Sequence, residues 1–284
     1  MTFRTRFAPS PTGPLHLGHA YSALLAHDLA QAAGGEFLLR IEDIDRSRAR
    51  PEWEAQIYDD LEWLGLRWKM PVTRQSDRQF AYQTVLDDLW DRGLLYRCTC
   101  SRADIAAAAS APQEGAPLLG PDGVLYPGTC RPESPPTGQR PRDIPLRLDM
   151  TRTCSGLRWP LQFTEEGDGS PKTVTITRNE MLSGVGDIVL ARRDLGTSYH
   201  LSVVIDDAEQ GISHVVRGRD LTEATPVHVL LQHLLNLPRP VYHHHRLIRD
   251  EAGKRLAKRD DARAIALFRS EGRSANDIRA MVGL

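Results

Sequence analysis

The sequence predicts an α/β protein built around a parallel sheet, and three neighbouring segments near the N-terminus carry that prediction. The segment "FRTRFAP" is short, partly alternating in polarity and ends at a proline, which is typical of a strand. An Ala- and Leu-rich segment from Leu15 to Ala33 stops at Gly34-Gly35, a common way for a helix to end. "EFLLRIED" follows as a buried strand. Because strand, helix and strand follow one another within about 40 residues, they predict a βαβ unit, which belongs to a parallel sheet.

The later elements are predicted in the same way. Helices are expected from Pro51 to Leu64, with proline in the first turn, and from Arg78 to Arg92. After "LLYRCTC" an Ala-rich segment and a Pro-, Gly- and Ser-rich stretch from Ser110 to Arg142 predict an inserted, loop-rich module, with strands at "IPLRLDM" and "KTVTITR". The β-branched segments "GDIVLARRD" and "YHLSVVIDDAEQGISHVVRG" predict that the sheet resumes. The basic chain after Pro238 is expected to be helical.

Composition narrows the class of protein. The 36 Lys and Arg residues and 37 Asp and Glu residues give a formal net charge of −1, so a surface that binds a polyanion must be a local patch. No apolar segment approaches the roughly 20 residues that span a bilayer, and the N-terminus lacks the apolar core of a signal peptide. We therefore expect a cytoplasmic protein that does not enter the membrane.

The stretch "RFAPSPTGPLHLGHAY" places His16 and His19 at the start of the first helix. His16 and His19, at positions i and i+3, fit a metal site poorly, because the zinc-peptidase pattern has its histidines at i and i+4 and a glutamate where Leu17 stands. Two ordinary, half-buried helix histidines are an open alternative. The preceding turn favours a phosphate cradle, since unpaired N–H groups of a first helical turn attract anions and Gly18 leaves room for a nucleotide.

This stretch resembles the HIGH motif of class I aminoacyl-tRNA synthetases, and "RFAPSPTG", "LHLGH" and "GGEFLLRIEDID" together resemble their glutamyl branch. The resemblance implies a Rossmann-like, parallel-sheet nucleotide-binding catalytic domain in which His16 and His19 stabilise the α-phosphate of ATP. Such catalysis consists of positioning and charge stabilisation. The ATP-binding positions that the resemblance implies are Pro9, Pro11, Thr12, Gly13, His16, Gly18, His19, Arg255 and Lys258.

A basic segment near the other end of the chain, "RDEAGKRLAKRDDA", resembles the second motif of that family, KMSKS. Arg255 stands at the first lysine, Ala257 at the serine, and Lys258 at the position that contacts ATP phosphates. Alone, such a segment is usually a solvated charged loop. Its order after the first motif favours a catalytic role for Lys258, with Mg²⁺ accompanying ATP.

An acidic amino-acid substrate requires arginine for its carboxylate and an acidic group for its ammonium. "TSYHLSVVIDD" and "ISHVVRGRDL" resemble pocket segments of the glutamyl branch, although Arg219 departs from the small or acidic residue expected there. The resemblance implies that Arg6 and Arg217 bind carboxylates and that Glu42 binds the amino group. The implied glutamate-binding positions are Arg6, Phe7, Ala8, Pro9, Ser10, Glu42, Tyr199 and Arg217.

Three of the four cysteines lie close together in the sequence, as "CTC" and "YPGTC". In a reducing compartment this pattern favours a metal over disulfides, although three reduced cysteines that merely lie near one another are the alternative. Three thiolates and one further ligand make a closed, structural Zn²⁺ site. The resemblance implies the ligands Cys98, Cys100, Tyr126 and Cys130, and Cys154 is expected to be buried outside the site.

The resemblance covers essentially the whole chain, but only about 25 residues follow Arg259, too few for the anticodon-binding domain of a glutamyl-tRNA synthetase. "HAYSALLAHDLA" and "IEDID" also depart from that enzyme's usual residues. Both features resemble a shorter paralogous family, the glutamyl-queuosine tRNA(Asp) synthetases. That resemblance implies tRNA-independent activation of L-glutamate with ATP, and transfer of the glutamyl group to queuosine in the anticodon loop of tRNA(Asp).

The expected organisation follows from these motifs. Residues 1–95 and 186–240 form the two halves of the catalytic domain, 96–185 form a zinc-bearing, acceptor-binding type of insertion, and 241–284 hold the KMSKS-type loop and a short helical C-terminal region. A monomer is expected. The alternatives are a reduced glutamyl-tRNA synthetase that charges a tRNA 3′ end, a small-molecule nucleotidyltransferase, and a non-catalytic zinc RNA-binding module.

Overall fold

The computed structural model describes residues 2–109, 119–167, 169–249 and 263–284. Its strands are β1 (Arg4–Phe7), β2 (Glu36–Ile41), β3 (Thr73–Arg74), β4 (Leu95–Arg97), β5 (Leu119–Gly120), β6 (Gly123–Val124), β7 (Leu146–Leu148), β8 (Leu161–Glu165), β9 (Lys172–Ile176), β10 (Val189–Ala191), β11 (His214–Gly218) and β12 (Val241–His245). Its helices are α1 (Leu17–Ala32), α2 (Pro51–Trp63), α3 (Gln79–Asp91), α4 (Arg102–Ala109), α5 (Met150–Ser155), α6 (Arg178–Glu180), α7 (Tyr199–Glu209), α8 (Thr225–Leu234), α9 (Ile265–Ser270) and α10 (Ala275–Val282).

Parallel strands from both ends of the chain build the centre of the fold. Strand β2 pairs in parallel with β1 and β3, and β12 pairs in parallel with β11 and β8. The two sheets meet between β1 and β11, where the amide of Ser213 donates to the carbonyl of Arg4 at 3.0 Å. The predicted α/β class with a parallel sheet is confirmed. In such a sheet the carboxyl ends of the strands share one edge, where ligands bind.

Helix α1 packs against β1 and β2 through small side chains. Ala20, Ala23 and Ala26 are completely buried, and the hydroxyl of Thr5 in β1 donates to the carbonyl of Ala26 at 2.8 Å. Alanine allows a helix to approach a sheet closely, and it also has the highest helix propensity. The start of α1 is therefore held firmly at the edge where β1 ends.

A second region surrounds the antiparallel strands β10, β7 and β4, which follow that order in a small sheet. Strands β5 and β6 form a separate two-stranded hairpin. Strands β8 and β9 lie within the range expected for the insertion, yet β8 pairs with β12 of the parallel sheet. The insertion and the catalytic half thus share a sheet. None of the described helices is both long and apolar enough to cross a bilayer.

Two sequence expectations were wrong. Residues Tyr199–Glu209, expected as a strand, form α7, because Ser198 caps the helix through its hydroxyl and eight residues are buried around its circumference. All-round burial hides the helical period, and β-branched residues then resemble a strand. Residues Val241–His245, expected to be helical, form β12 in the interior of the sheet.

The expected strand "IPLRLDM" is also shorter than predicted. Strand β7 covers Leu146–Leu148, and Met150 begins helix α5. Asp149 ends the strand because its carboxylate accepts from the amide of Arg152 at 2.9 Å and caps the helix.

Candidate active site

A cavity of about 530 Å³ opens where β1, β2 and β11 end, beside the first turns of α1 and α7. Most of the predicted ATP- and glutamate-binding residues line it, although they come from four separate segments of the chain. These residues are Arg6, Phe7, Ala8, Pro9, Ser10, Thr12, His16, Gly18, His19, Glu42, Tyr199 and Arg217. Pro11 lines a neighbouring depression instead, and Gly13 is not part of the cavity lining.

The two histidines of α1 form the cap of that helix. Nδ1 of His16 accepts from the amide of Gly18 at 3.1 Å, and Nδ1 of His19 accepts from the amide of His16 at 3.1 Å. Their ring centroids are 3.8 Å apart. Because each Nδ1 is an acceptor, the proton of each neutral ring lies on Nε2, the atom remote from the helix backbone. Both histidines line the cavity, and each carries the proton of its ring on Nε2.

A side chain at position 18 would crowd the ring of His16. A Cβ atom added there would lie 3.0 Å from Cε1 and 3.2 Å from Nδ1 of His16. A side chain would thus displace the capping imidazole. This contact gives Gly18 a structural role beside the predicted one of leaving room for a nucleotide.

The predicted second motif, with Arg255 and Lys258, lies outside the described residues. The described chain on both sides of it borders the cavity. Leu247 and Ile248 line the cavity, and after the gap Ala264 pairs with His16. The amide of Ile265 donates to the carbonyl of Leu15 at 2.8 Å, which fixes this return point beside α1.

Arg217 is a buried cation whose direct partners are all neutral. Its side chain donates from Nη2 to the hydroxyl of Thr225 at 2.8 Å and from Nη1 to Nδ1 of His228 at 3.0 Å. Its Nε donates to Nε2 of His244 at 3.1 Å. A guanidinium can only donate, so the ring atoms that face it carry no proton and both imidazoles are neutral.

These three bonds also orient the guanidinium. Within the described part of the chain they occupy three of the five N–H groups of Arg217 and leave one on each terminal nitrogen. Arg217 is 5% exposed and lines the cavity. A buried positive charge whose direct partners are neutral, and which keeps an N–H group on each terminal nitrogen, is suited to bind a carboxylate.

Arg6 differs, because Asp207 already neutralises it. Nε and Nη2 of Arg6 lie 2.9 and 3.3 Å from the two oxygens of Asp207. Arg40, which is completely buried, donates to Asp207 at 2.7 Å and to Glu42 at 3.1 Å. Burial would raise the pKa of Asp207, but Arg6 and Arg40 hold it below its ordinary value. Burial raises the pKa of Glu42, and Arg40 only partly opposes this.

Sequence reasoning missed several residues that hold this site. Arg40 and Asp207 lie within segments that the sequence analysis had singled out, "LLRIED" and "VVIDD". Arg40 could have been identified from the sequence, because a charged residue inside a predicted buried strand is unusual. His228 and His244 gave no comparable signal, although three consecutive histidines at the end of β12 are unusual for a buried strand.

The cysteine cluster lies apart from the cavity. The Sγ atoms of Cys98, Cys100 and Cys130 lie within 4.8 Å of one another. The hydroxyl of Tyr126 is 3.5 Å from the sulfurs of Cys98 and Cys100 and accepts from the amide of Cys130 at 2.8 Å. This arrangement can hold a metal ion. Cys154 is buried in the main core, as expected.

Arg147 of β7 supports this cluster from the buried side. Its Nε donates to Sγ of Cys98 at 3.2 Å, and its guanidinium carbon lies 3.8 Å from the centroid of the Tyr126 ring. The guanidinium of Arg147 therefore holds the side chains of Cys98 and Tyr126 beside each other.

Comparisons with known proteins agree with this geometry. Residues 2–116 and 165–283 match the family model of tRNA synthetases class I (E and Q), catalytic domain. The chain superposes on a glutamate tRNA ligase from Elizabethkingia meningosepticum, crystallised with its amino acid, with a TM-score of 0.69 and 28% identity. That match covers 92% of this chain and 52% of the ligase, so the chain spans about half of that protein. Methionyl-tRNA synthetase of Mycobacterium tuberculosis shares the fold, with a TM-score of 0.59, 12% identity, and 99% and 64% of the two chains covered. Fold and cavity thus define a class I tRNA synthetase catalytic domain.

Curated relatives specify the family further. A glutamyl-Q tRNA(Asp) synthetase of Rhodobacter capsulatus is 62% identical over 283 residues, which cover 99% of each chain. A protein of the same name from Geobacter sulfurreducens is 40% identical over 93% of this chain and 78% of its own length. The chain belongs to the glutamyl-Q tRNA(Asp) synthetase family, and the predicted family is confirmed.

Proposed function

We propose that this protein activates L-glutamate with ATP, without requiring tRNA, and transfers the glutamyl group to queuosine in the anticodon loop of tRNA(Asp). The names of the curated relatives support the RNA substrate. The observation that carries the amino-acid substrate is Arg217, a buried cation with only neutral direct partners that lines the same cavity as the capping histidines of α1.

In the activation step, a carboxylate oxygen of glutamate forms a bond to the α-phosphorus of ATP. The bond from that phosphorus to the bridging oxygen breaks, and pyrophosphate leaves. Mg²⁺ would accompany ATP and neutralise charge on its phosphates. The Nε2–H groups of His16 and His19, with the amides of the first turn of α1, stabilise the charge on the α-phosphate oxygens. Lys258 neutralises the departing pyrophosphate in this proposal.

Glutamate is held by groups of complementary charge. Arg217 binds one carboxylate through its two terminal nitrogens, and Glu42 accepts from the ammonium group. Arg6 keeps donors for the second carboxylate while Asp207 fixes its orientation. In the transfer step, a hydroxyl of the cyclopentenediol of queuosine attacks the carbonyl of the adenylate, and AMP leaves as the glutamyl ester forms.

Zn²⁺ fits the cysteine cluster. Sulfur ligands at about 2.3 Å and an oxygen ligand at about 2.0 Å around a tetrahedral ion place oxygen and sulfur about 3.5 Å apart. The hydroxyl of Tyr126 lies 3.5 Å from two of the sulfurs. In this proposal Cys98, Cys100, Tyr126 and Cys130 hold one structural Zn²⁺ ion, which fastens the segment between β4 and β7.

Exchange between ATP and labelled pyrophosphate, measured with each amino acid and no tRNA, tests the activation step. Glutamate should drive exchange, whereas exchange driven only by glutamine or aspartate contradicts the proposed pocket. We expect His16→Ala to reduce exchange at least ~100-fold, the scale of losing one oriented transition-state donor. The matched control is His233→Ala, an exposed histidine of α8, which should leave exchange unchanged.

The transfer step is tested with labelled glutamate and tRNA(Asp) that carries either queuosine or guanosine in the anticodon loop. Label should enter only the queuosine form, and it should still enter after the 3′-terminal adenosine has been removed. Labelling that requires the 3′ adenosine would instead indicate a reduced glutamyl-tRNA synthetase.

A further inference from the structure

A chain of hydrogen bonds links Arg217 to the hairpin between β5 and β6. Nη1 of Arg217 lies 3.0 Å from Nδ1 of His228, and Nε2 of His228 lies 3.1 Å from Nδ1 of His200. Nε2 of His200 lies 3.0 Å from a carboxylate oxygen of Asp122, which occupies the turn of the hairpin. His200 and His228 are buried, whereas the side chain of Asp122 is 50% exposed.

The chemistry of its two ends fixes the direction of every bond in this chain. Arg217 can only donate, so Nδ1 of His228 accepts and its proton lies on Nε2. That proton is donated to Nδ1 of His200, whose own proton then lies on Nε2 and is donated to Asp122. Burial and the charge of Arg217 hold the pKa of His228 well below its ordinary value, in agreement with a neutral ring.

Close packing determines where Asp122 lies. A Cβ atom at Gly120 would lie 2.9 Å from the carbonyl oxygen of Gly184. A Cβ atom at Gly186, whose φ is +66°, would lie 2.9 Å from Leu125 just after the hairpin. The hairpin therefore packs against the turn that follows α6. It lies between Cys100 and Cys130 in the sequence, and its Asp122 contacts His200 of the catalytic half.

We propose that Asp122 is a positioning residue for the glutamate pocket. By accepting from His200, it holds His200 and His228 in the tautomers that keep Arg217 aimed at the cavity. The binding of a glutamate carboxylate by Arg217 rests on the proposed function, whereas the tautomers of His200 and His228 are independent of it.

Without Asp122, only Arg217 still opposes the reverse order of protons, so a fraction of the molecules can adopt it. With a proton on Nδ1 of His200, Nε2 of His228 becomes the acceptor, and Nδ1 of His228 then carries a proton towards Nη1 of Arg217. Two donors cannot share that contact, so the guanidinium must shift. We expect the KM for glutamate to rise roughly 10-fold, the scale of one hydrogen bond to a charged group.

Nitrogen-15 spectra of histidine-labelled protein test the tautomers directly. In the unaltered protein, His200 and His228 should both show a proton on Nε2. In Asp122→Ala the tautomer with a proton on Nδ1 of His200 should appear, and in Asp122→Glu, which retains an acceptor, it should not. The control Asp91→Ala, at an exposed position on α3, should match the unaltered protein. Identical tautomers in Asp122→Ala and the unaltered protein would overturn the proposal.

Kinetics separate positioning from a general loss of structure. Asp122→Ala should raise the KM for glutamate and leave the KM for ATP unchanged. In Asp122→Glu the KM for glutamate should lie within roughly 2-fold of that of the unaltered protein. Equal rises in both constants, or none, would contradict the proposal. If glutamate drives no exchange in the unaltered protein, the proposed function fails, while the spectra still decide the tautomers.

Discussion

Replacing Arg217 by methionine removes the charge from the glutamate pocket while keeping the unbranched stem of the side chain. The change removes the guanidinium from the cavity wall, and it also leaves His228, His244 and Thr225 without their shared partner. Thr225 can still donate to Nε2 of His244, which lies 3.1 Å away, so the pocket wall keeps part of its bonding.

The expected loss is set by the bonds to substrate. Hydrogen bonds to a charged group contribute about 1.5–3 kcal/mol each, so two such bonds to a carboxylate contribute about 3–6 kcal/mol. The lower end corresponds to a fall of at least ~100-fold in kcat/KM for glutamate. Because the donors bind the carboxylate and not the nucleotide, the KM for ATP should change little.

The assay is pyrophosphate exchange at varied concentrations of glutamate and of ATP. The control is Arg67→Met, at an exposed arginine that does not line the cavity. Unfolding curves show whether the variant is folded. A folded Arg217→Met protein with a near-normal kcat/KM for glutamate would refute the assignment of Arg217 to the substrate carboxylate.

Three other substitutions have distinct expected outcomes. Cys98→Ser should lower the Zn²⁺ content of the purified protein from one ion per chain, and metal analysis that finds no Zn²⁺ in the unaltered protein would end that proposal. Gly18→Ala should reduce exchange roughly 10-fold without lowering stability, because alanine favours the helix but its Cβ displaces the ring of His16; a normal rate would contradict this reasoning. Asp60 is completely buried in α2, and burial raises its pKa from 3.8 to about 6. The folded state thus binds this proton more tightly than the unfolded state, so the free energy of unfolding should fall as pH rises between about 4 and 6. The total loss is about 3 kcal/mol, and Asp60→Asn should remove this part of the pH dependence in urea unfolding; parallel curves would show that Asp60 does not titrate there.

Local patterns determined much of the fold. The first strand, helix and strand were predicted because each has a short, regular polarity pattern and ends at proline or glycine. Helix α7 is buried around its circumference, so no polar face remains to reveal the helical period. Strand β12 carries three consecutive histidines, whose polarity hides a strand in the interior of the sheet.

The sequence by itself determined which groups are available: the capping histidines, Gly18, Glu42 and Arg217, in an order that resembles one family. Only the tertiary structure decided what each group does there. Asp207 reaches Arg6 across 201 residues and leaves it neutralised, whereas Arg217 meets only uncharged partners. Such contacts join elements distant in the chain, and charge compensation depends on distances of a few ångströms, which no local pattern records.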